Sequence, residues 1–300
     1  MAAPEVPGRR INRIATRPKP RALPRARPKV ARQARVEGAA VAKSDPLFNQ
    51  SVVKAFAAHA AFAGERRALN LAEIAAAAGM TTSSAQRCVH TLGQLGYLAR
   101  DERQRRWRLT PLTLSFGYPY LAGHPVIEQA TTHLVDLNQA CGESVSLSEP
   151  DGLDMVFIAR FPSHKRFFIH MPVGRRLPIY ATAAGRAYLS ALPPDEARDV
   201  LERSNYRKFT PHTLTDPKRI LEIVATAREV GYAWAREECY RGDLTIGAPI
   251  VGEGGRPVAA VNISGPTSRW GLDGLRERVA PLLIESARAA SSSVATLRRS

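Results

Sequence analysis

The spacing of apolar residues changes character along the chain. From about Leu47 it is helical: Phe48, Val52, Val53 and Phe56 form an apolar stripe that predicts a first helix to about Ala63, ended by Gly64. Asn70-Leu71-Ala72-Glu73 has the form of a capping box, in which Asn70 caps the helix and Glu73 reaches back. It opens a short helix, residues 71–78, that turns Leu71, Ile74, Ala75 and Ala78 inward and stops at Gly79. Thr81 or Thr82 then caps a third helix to about Leu95, with Ala85, Val89 and Leu92 on its core face. Gly96 suits a C-cap, and residues 97–100 and 106–109 read as two strands joined by a turn at 101–105. A short helix, a glycine turn, a polar helix and a hairpin together predict a winged helix-turn-helix.

Thr110-Pro111 starts another helical stretch with proline at its first position. Residues 124–140 read as an amphipathic helix with Val126, Ile127, Leu134, Val135 and Leu137 apolar, expected to join two modules. From Glu143 the pattern alternates, and Val145 and Leu147 point one way. Pro150-Asp151-Gly152 is a turn, and residues 155–161 and 167–171 are expected strands. Helices are expected at 182–191, 194–203 and 217–230, the last opened by Asp216-Pro217 and closed by Gly231. Strands at 244–251 and 257–264 flank Gly252-Glu253-Gly254-Gly255, and a last helix runs from about Leu272 through the nineties. This order predicts an α+β domain with an antiparallel sheet behind the winged helix. The boundaries read as a tail at 1–45, a winged helix at 46–116, a connector at 117–140 and a second domain at 141–300.

Charge sharpens this division. The formal net charge of the 300 residues is +16. Residues 1–45 carry 12 Lys and Arg against 3 acids, and residues 46–120 carry 9 against 4, so the remainder is nearly neutral. The tail has recurrent prolines and few large apolar residues, the composition of a disordered arm that could add non-specific phosphate contacts. Nowhere do eighteen apolar residues run together, so no membrane span is expected. Cys88, Cys141 and Cys239 are scattered, as in a protein of a reducing cytoplasm.

The third helix carries the clearest chemistry. Its outer face presents Ser83, Arg87, His90 and Gln94, with Thr82, Ser84, Gln86 and Thr91 beside them and no carboxylate. Such a surface suits a major groove, where Arg87 is the first choice for bidentate contact with guanine or for a phosphate clamp. The hairpin adds Arg103, Arg105, Arg106 and Arg108 for the DNA backbone. An ordinary solvated basic hairpin is the plainer alternative. His90 has no second ligand at metal-binding spacing, and no metal or cofactor is expected.

The chain resembles the IclR family of one-component transcriptional regulators over about residues 47–290. The resemblance rests on several motifs in order: Leu71-Ala72-Glu73-Ile74-Ala75 leading to Leu95-Gly96-Tyr97-Leu98; Arg176-Leu177-Pro178 running to Ala181-Thr182-Ala183-Ala184-Gly185-Arg186-Ala187; Leu214-Thr215-Asp216; Gly231-Tyr232-Ala233 with Glu237-Glu238; Ala248-Pro249; and Val261-Asn262-Ile263-Ser264-Gly265-Pro266 with Ser268-Arg269. It implies a GAF-like effector domain, a homodimer or dimer of dimers on a double-stranded DNA operator, and a small organic acid as effector. Among family members, those governing aromatic-acid breakdown look most similar. By position, the implied effector contacts are Thr182, Ala183, Ala184, Thr245, Asn262 and Ser264, with Phe168, Met171 and Leu177 as apolar walls. Two positions depart from the family pattern: Thr245 stands where many members have Cys or Ser, and Ala235 where some have a carboxylate.

Two other classes compete. An enzyme would need a catalytic constellation, but GxSxG, GxGxxG, P-loop and HExxH patterns are absent. Glu237 and Glu238, read as strand neighbours, would face opposite ways and could not share one proton-transfer site. A ligand-independent architectural DNA-binding protein would have little use for the near-neutral second domain.

Overall fold

The computed structural model describes residues 45, 47–64, 68–165 and 171–296. Residues 1–44 of the expected tail and Phe168, with most of the strand expected at 167–171, lie outside these residues. The chain divides into two compact units. One runs up to Leu92 and includes Arg100–Arg108; the other comprises Gly93–Ala99 and everything from Leu109 onward. No described helix is long and apolar enough to cross a membrane.

In the first unit, α1 spans Gln50–Ala60 and is followed by a 3-10 turn, Ala61–Ala63. The helix exists as expected, but its stripe faces outward: Val52, Val53 and Phe56 are all exposed, while Ala58 and Phe62 are buried. The inward face is thus made by smaller residues and one aromatic beyond the helix. Helix α2, Leu71–Ala78, has the expected capping box, with Glu73 N–H on Asn70 Oδ1 and Asn70 N–H on Glu73 Oε2, both 2.9 Å. Its C-cap Gly79 is left-handed. Ile74 and Ala75 are buried; Leu71 and Ala78 are only partly so. Helix α3, Thr82–Gln94, buries Ala85, Val89 and Leu92 as expected. Strands β1, Leu98–Asp101, and β2, Arg106–Leu109, form the hairpin.

The second unit is built on a six-stranded antiparallel sheet. Its strands are β3, Ser144–Asp151, β4, Asp154–Phe161, β5, Arg176–Pro178, β6, Ala233–Arg236, β7, Asp243–Val251, and β8, Pro257–Pro266. Their order is β5-β4-β3-β8-β7-β6. Two short strands, β5 and β6, are absent from the sequence reading; each has too few residues to show alternation.

Strand alternation gives the sheet two faces. One face, with Val145, Leu147, Ile246, Ala248, Val261 and Ile263, packs in one core with α5, Pro125–Cys141, and α10, Ala280–Thr296. Helix α5 is therefore built into this unit through Val126, Ala130, Leu134 and Leu137 rather than standing free as a connector. Before it, the short helix α4, Tyr118–Ala122, is tied to β3: Tyr120 donates to Glu149 Oε1, and His124 Nε2 lies 2.9 Å from Glu149 Oε2. The other face carries α6, Ala183–Ala191, α7, Pro194–Glu202, and α8, Pro217–Val230. The expected final helix is broken at Val279 into α9, Leu272–Arg278, and α10.

Candidate functional site: a polar helix face and a pocket

On α3, Thr82, Ser83, Gln86, Arg87, His90 and Thr91 are exposed and Ser84 is half-buried. The cap is Thr81, whose Oγ1 accepts from Ser84 N–H at 3.2 Å. Thr91 Oγ1 donates to Arg87 O at 3.0 Å, so its proton is already used within the helix. The wing tip is shaped by Asp101, whose Oδ1 accepts from the N–H groups of Arg103 and Gln104, and by Arg105 at φ 51°. Arg103, Arg105 and Arg108 are exposed there.

Arg106 departs from the expected basic surface. Its Nη1 donates to Ala68 O and to Glu73 Oε2, both at 2.9 Å. The pair ties β2 to the capping box of α2, so Arg106 acts inside the unit and is not an open phosphate contact.

The second unit holds a partly open cavity of about 40 Å³, at the junction of α6 with the sheet. Register explains its floor. Arg160 pairs with Ser146, Ser146 with Asn262, and Asn262 with Gly247, which puts one residue from each of β4, β3, β8 and β7 in a row. The next row holds Ser144, Ser264, Thr245 and Ala235. The start of α6 forms the roof. A Cβ on Gly247 would lie 2.9 Å from the backbone of Ala183 and Ala184, so only glycine lets helix and sheet meet this closely. Phe157, Met171 and Leu177 supply apolar walls.

All the expected contacts within the described residues line this cavity: Met171, Leu177, Thr182, Ala183, Ala184, Thr245, Asn262 and Ser264. Their roles differ. Thr182 is the N-cap of α6, its Oγ1 accepting from Gly185 N–H at 2.9 Å. Thr245 Oγ1 donates to Ala235 O at 3.3 Å, and Ser264 Oγ donates to Asp243 Oδ1 at 2.6 Å. Asn262 is 6% exposed, and its Oδ1 has no hydrogen-bond partner among the described residues. The amides of Ala183 and Ala184, first in α6, have no acceptor within the helix and carry its positive dipole end.

Sequence reasoning missed Arg160, Asp243 and the bend 237–240. Glu237 and Glu238 do not lie on a strand as assumed: Glu237 has φ 55°, and they follow β6 in a bend. Glu238 makes a bidentate pair with Arg186 at 2.6 and 2.7 Å, and Glu237 Oε1 accepts from Gly242 N–H at 2.7 Å. Arg160 Nη1 donates to Ser146 Oγ at 3.2 Å, and burial lowers its pKa against the raising influence of Asp243 and Tyr240.

Burial pushes the Asp243 carboxyl up to about 6, against the pull of the Ser264 hydrogen bond and the Arg160 charge. The folded protein thus holds this proton more tightly than the unfolded chain does. That stabilisation is complete below the ordinary value of 3.8 and is lost as pH rises through about 6. Asp243→Asn is expected to melt like the native protein near pH 4 and at a higher temperature near about pH 7. An unchanged difference across this range in thermal melts would contradict a buried, titrating Asp243.

The profile of the IclR helix-turn-helix domain matches residues 51–102, and that of the bacterial transcriptional regulator IclR C-terminal domain matches residues 118–292. The Pca regulon regulatory protein of Pseudomonas putida is 30% identical over 81% of this chain and 84% of its own length. The crystal structure of Thermotoga maritima IclR superposes with a TM-score of 0.65 at 26% identity, covering 82% of this chain and 98% of that one. An IclR homologue from Microbacterium hydrocarbonoxydans, solved with 4-hydroxybenzoate, shares the fold at 23% identity, with a TM-score of 0.68, over 84% of this chain and 100% of that one. These matched families are regulators and not enzymes. With the winged helix, the antiparallel sheet and both profile matches in agreement, the chain belongs to the IclR family of bacterial transcriptional regulators.

Proposed function

We propose that this regulator binds operator DNA as a homodimer or dimer of dimers in the cytoplasm, and that a small organic acid in the cavity of its second unit sets its DNA affinity. The observation that carries the effector reading is the cavity lining: Ala183 and Ala184, the first residues of α6, share the pocket with Arg160, and a helix N-terminus beside an arginine attracts a carboxylate. The apolar walls Phe157, Met171 and Leu177 suit a compact hydrocarbon or ring body. The relative named for the Pca regulon and the homologue bound to 4-hydroxybenzoate make aromatic acids the first candidates. A ligand that binds one state better shifts the population towards it. The test is a thermal-melt screen of the purified protein against aromatic, keto, sugar and short aliphatic acids. A true effector at a hundred times its dissociation constant adds about 2.7 kcal/mol. No shift with any acid would refute the effector reading.

On the DNA side, Arg87 reads a base from the centre of the exposed face of α3, and Arg103, Arg105 and Arg108 hold phosphates. Arg87→Ala is expected to reduce preference for the operator over random DNA by about 1–3 kcal/mol. An equal loss on both DNAs, measured by fluorescence anisotropy at fixed salt, would make Arg87 a phosphate contact instead.

A further inference from the structure

We propose that the ion pair of Arg106 with Glu73 aims the wing: without touching DNA itself, it raises DNA affinity by holding the hairpin arginines in place against α2. The inference rests on the phosphate contacts given above to Arg103, Arg105 and Arg108, and adds the residues that position them.

A two-stranded hairpin is marginally stable on its own. This one also crowds Arg100, Arg103, Arg105, Arg106 and Arg108 together, where like charges repel. Its support comes from the segment that leads into α2. Leu69 N–H donates to Trp107 O at 2.9 Å, and Trp107 N–H donates to Leu69 O at 2.8 Å, so β2 is bonded to β1 on one edge and to Leu69 on the other. Arg106 extends that short bridge. Its Nη1 donates at 2.9 Å to Ala68 O, just before Leu69, and at 2.9 Å to Glu73 Oε2, in the first turn of α2. Glu73 Oε2 also accepts from Asn70 N–H at 2.9 Å. One carboxylate oxygen thus joins the capped start of α2 to the return strand of the wing. The side chains of Arg106 and Glu73 are 32% and 25% exposed, so solvent screens the pair only in part.

Charge gives the proposal a sign that can be checked. An acid on a DNA-binding unit ordinarily opposes the phosphates, and removing it should tighten binding. Glu73 is assigned the opposite effect, because its charge is matched by Arg106 and its removal loosens the wing. A loosened wing must be ordered each time DNA binds, and that ordering subtracts from affinity.

The experiment is fluorescence anisotropy of the full chain on a labelled DNA duplex of arbitrary sequence at fixed low salt, which reads phosphate contacts without a known operator. Arg106→Met keeps the apolar stem, removes the donors and is expected to weaken binding about 3–10-fold. Changing Arg103, Arg105 and Arg108 together to alanine should also weaken binding. In that stripped wing, Arg106→Met should alter affinity by less than about twofold, because no arginines remain to be aimed. An equal fold-loss in both backgrounds is the result for a direct phosphate contact or for general damage to the fold, and it overturns the inference. Native affinity for Arg106→Met in the intact wing overturns it as well. Glu73→Gln keeps the capping box, where Gln serves as Glu does, but holds the guanidinium less firmly and should weaken binding. Binding by Glu73→Gln as tight as native or tighter overturns the inference, and this variant decides if Arg106→Met fails to fold. If the triple alanine variant binds like the native protein, the phosphate reading of the wing falls and this inference with it. A loss there, with Arg106→Met additive to it, removes this inference alone.

Discussion

Glu238→Ala is expected to destabilise the second unit by roughly 3–5 kcal/mol, the cost of leaving a buried charge without its partner. The Arg186 side chain is fully buried and that of Glu238 is 5% exposed. Arg186 donates through Nη1 and Nη2 to the two carboxylate oxygens, through Nε to Tyr180 O at 2.9 Å, and through Nη1 to Trp234 O at 3.0 Å. One side chain thereby joins α6, the turn before it and the end of β6. Glu238 Oε2 also accepts from Leu214 N–H at 2.8 Å, and Thr213 Oγ1 donates to Glu238 O at 2.6 Å. Removing the carboxylate strands the guanidinium and an amide together, and it frees the bend that lines the pocket. At about 2–4 °C per kcal/mol, the melting point should fall by roughly 6–20 °C.

Two further variants separate charge from packing. Glu238→Gln retains one oxygen acceptor and should lose less. The double change Arg186→Met, Glu238→Leu replaces the pair by apolar groups and should be milder than Glu238→Ala, since the unpaired charge dominates the cost. A Glu238→Ala protein within about 1 kcal/mol of native would mean that solvent reaches the pair.

The contrast between Glu238 and α3 shows what the sequence could carry. The capping box, the glycine stops and the inward triad Ala85, Val89 and Leu92 are all local features, settled within a turn or two of helix, and their spacing in the sequence is their spacing in the fold. The polar face of α3 is legible for the same reason. The pocket is different. Asn262 and Ser264 share a strand face by period two, so their pairing was readable. Arg160 reaches the floor only because β4, β3 and β8 pair in one register, and nothing near Arg160 in the chain specifies that register. The bend at Glu237 and Glu238 was hidden by the left-handed Glu237, which a residue-type reading assigns to an extended strand. The outward stripe of α1 misled for a related reason: helical periodicity identifies a face but not what covers it. The inward turn of Arg106 depends on Glu73, thirty-three residues away.

Gly185→Ala is expected to cost about 3 kcal/mol or more and to abolish effector binding, although it adds a single methyl group to a helix. Alanine is ordinarily the better helix former by about 1 kcal/mol, so the sign of the change is a direct test of packing against propensity. A Cβ at this position would lie 2.0 Å from Ile179 O and 2.7 Å from Ile179 C and Cα. The obstacle is backbone, and it is held in place: Ile179 N–H donates to Leu153 O at 3.0 Å, and Tyr180 O accepts from Arg186 Nε. The start of the helix is also held close to the sheet, where Gly247 meets the backbone of Ala183 and Ala184. Two glycines therefore fix the height of the α6 N-terminus above the pocket floor. Displacing that terminus moves the amides that would hold the effector carboxylate. Thermal melts and calorimetric titration of the variant check both effects. If Gly185→Ala were as stable as the native protein and bound effector normally, the tight seat of α6 would not be what shapes the site.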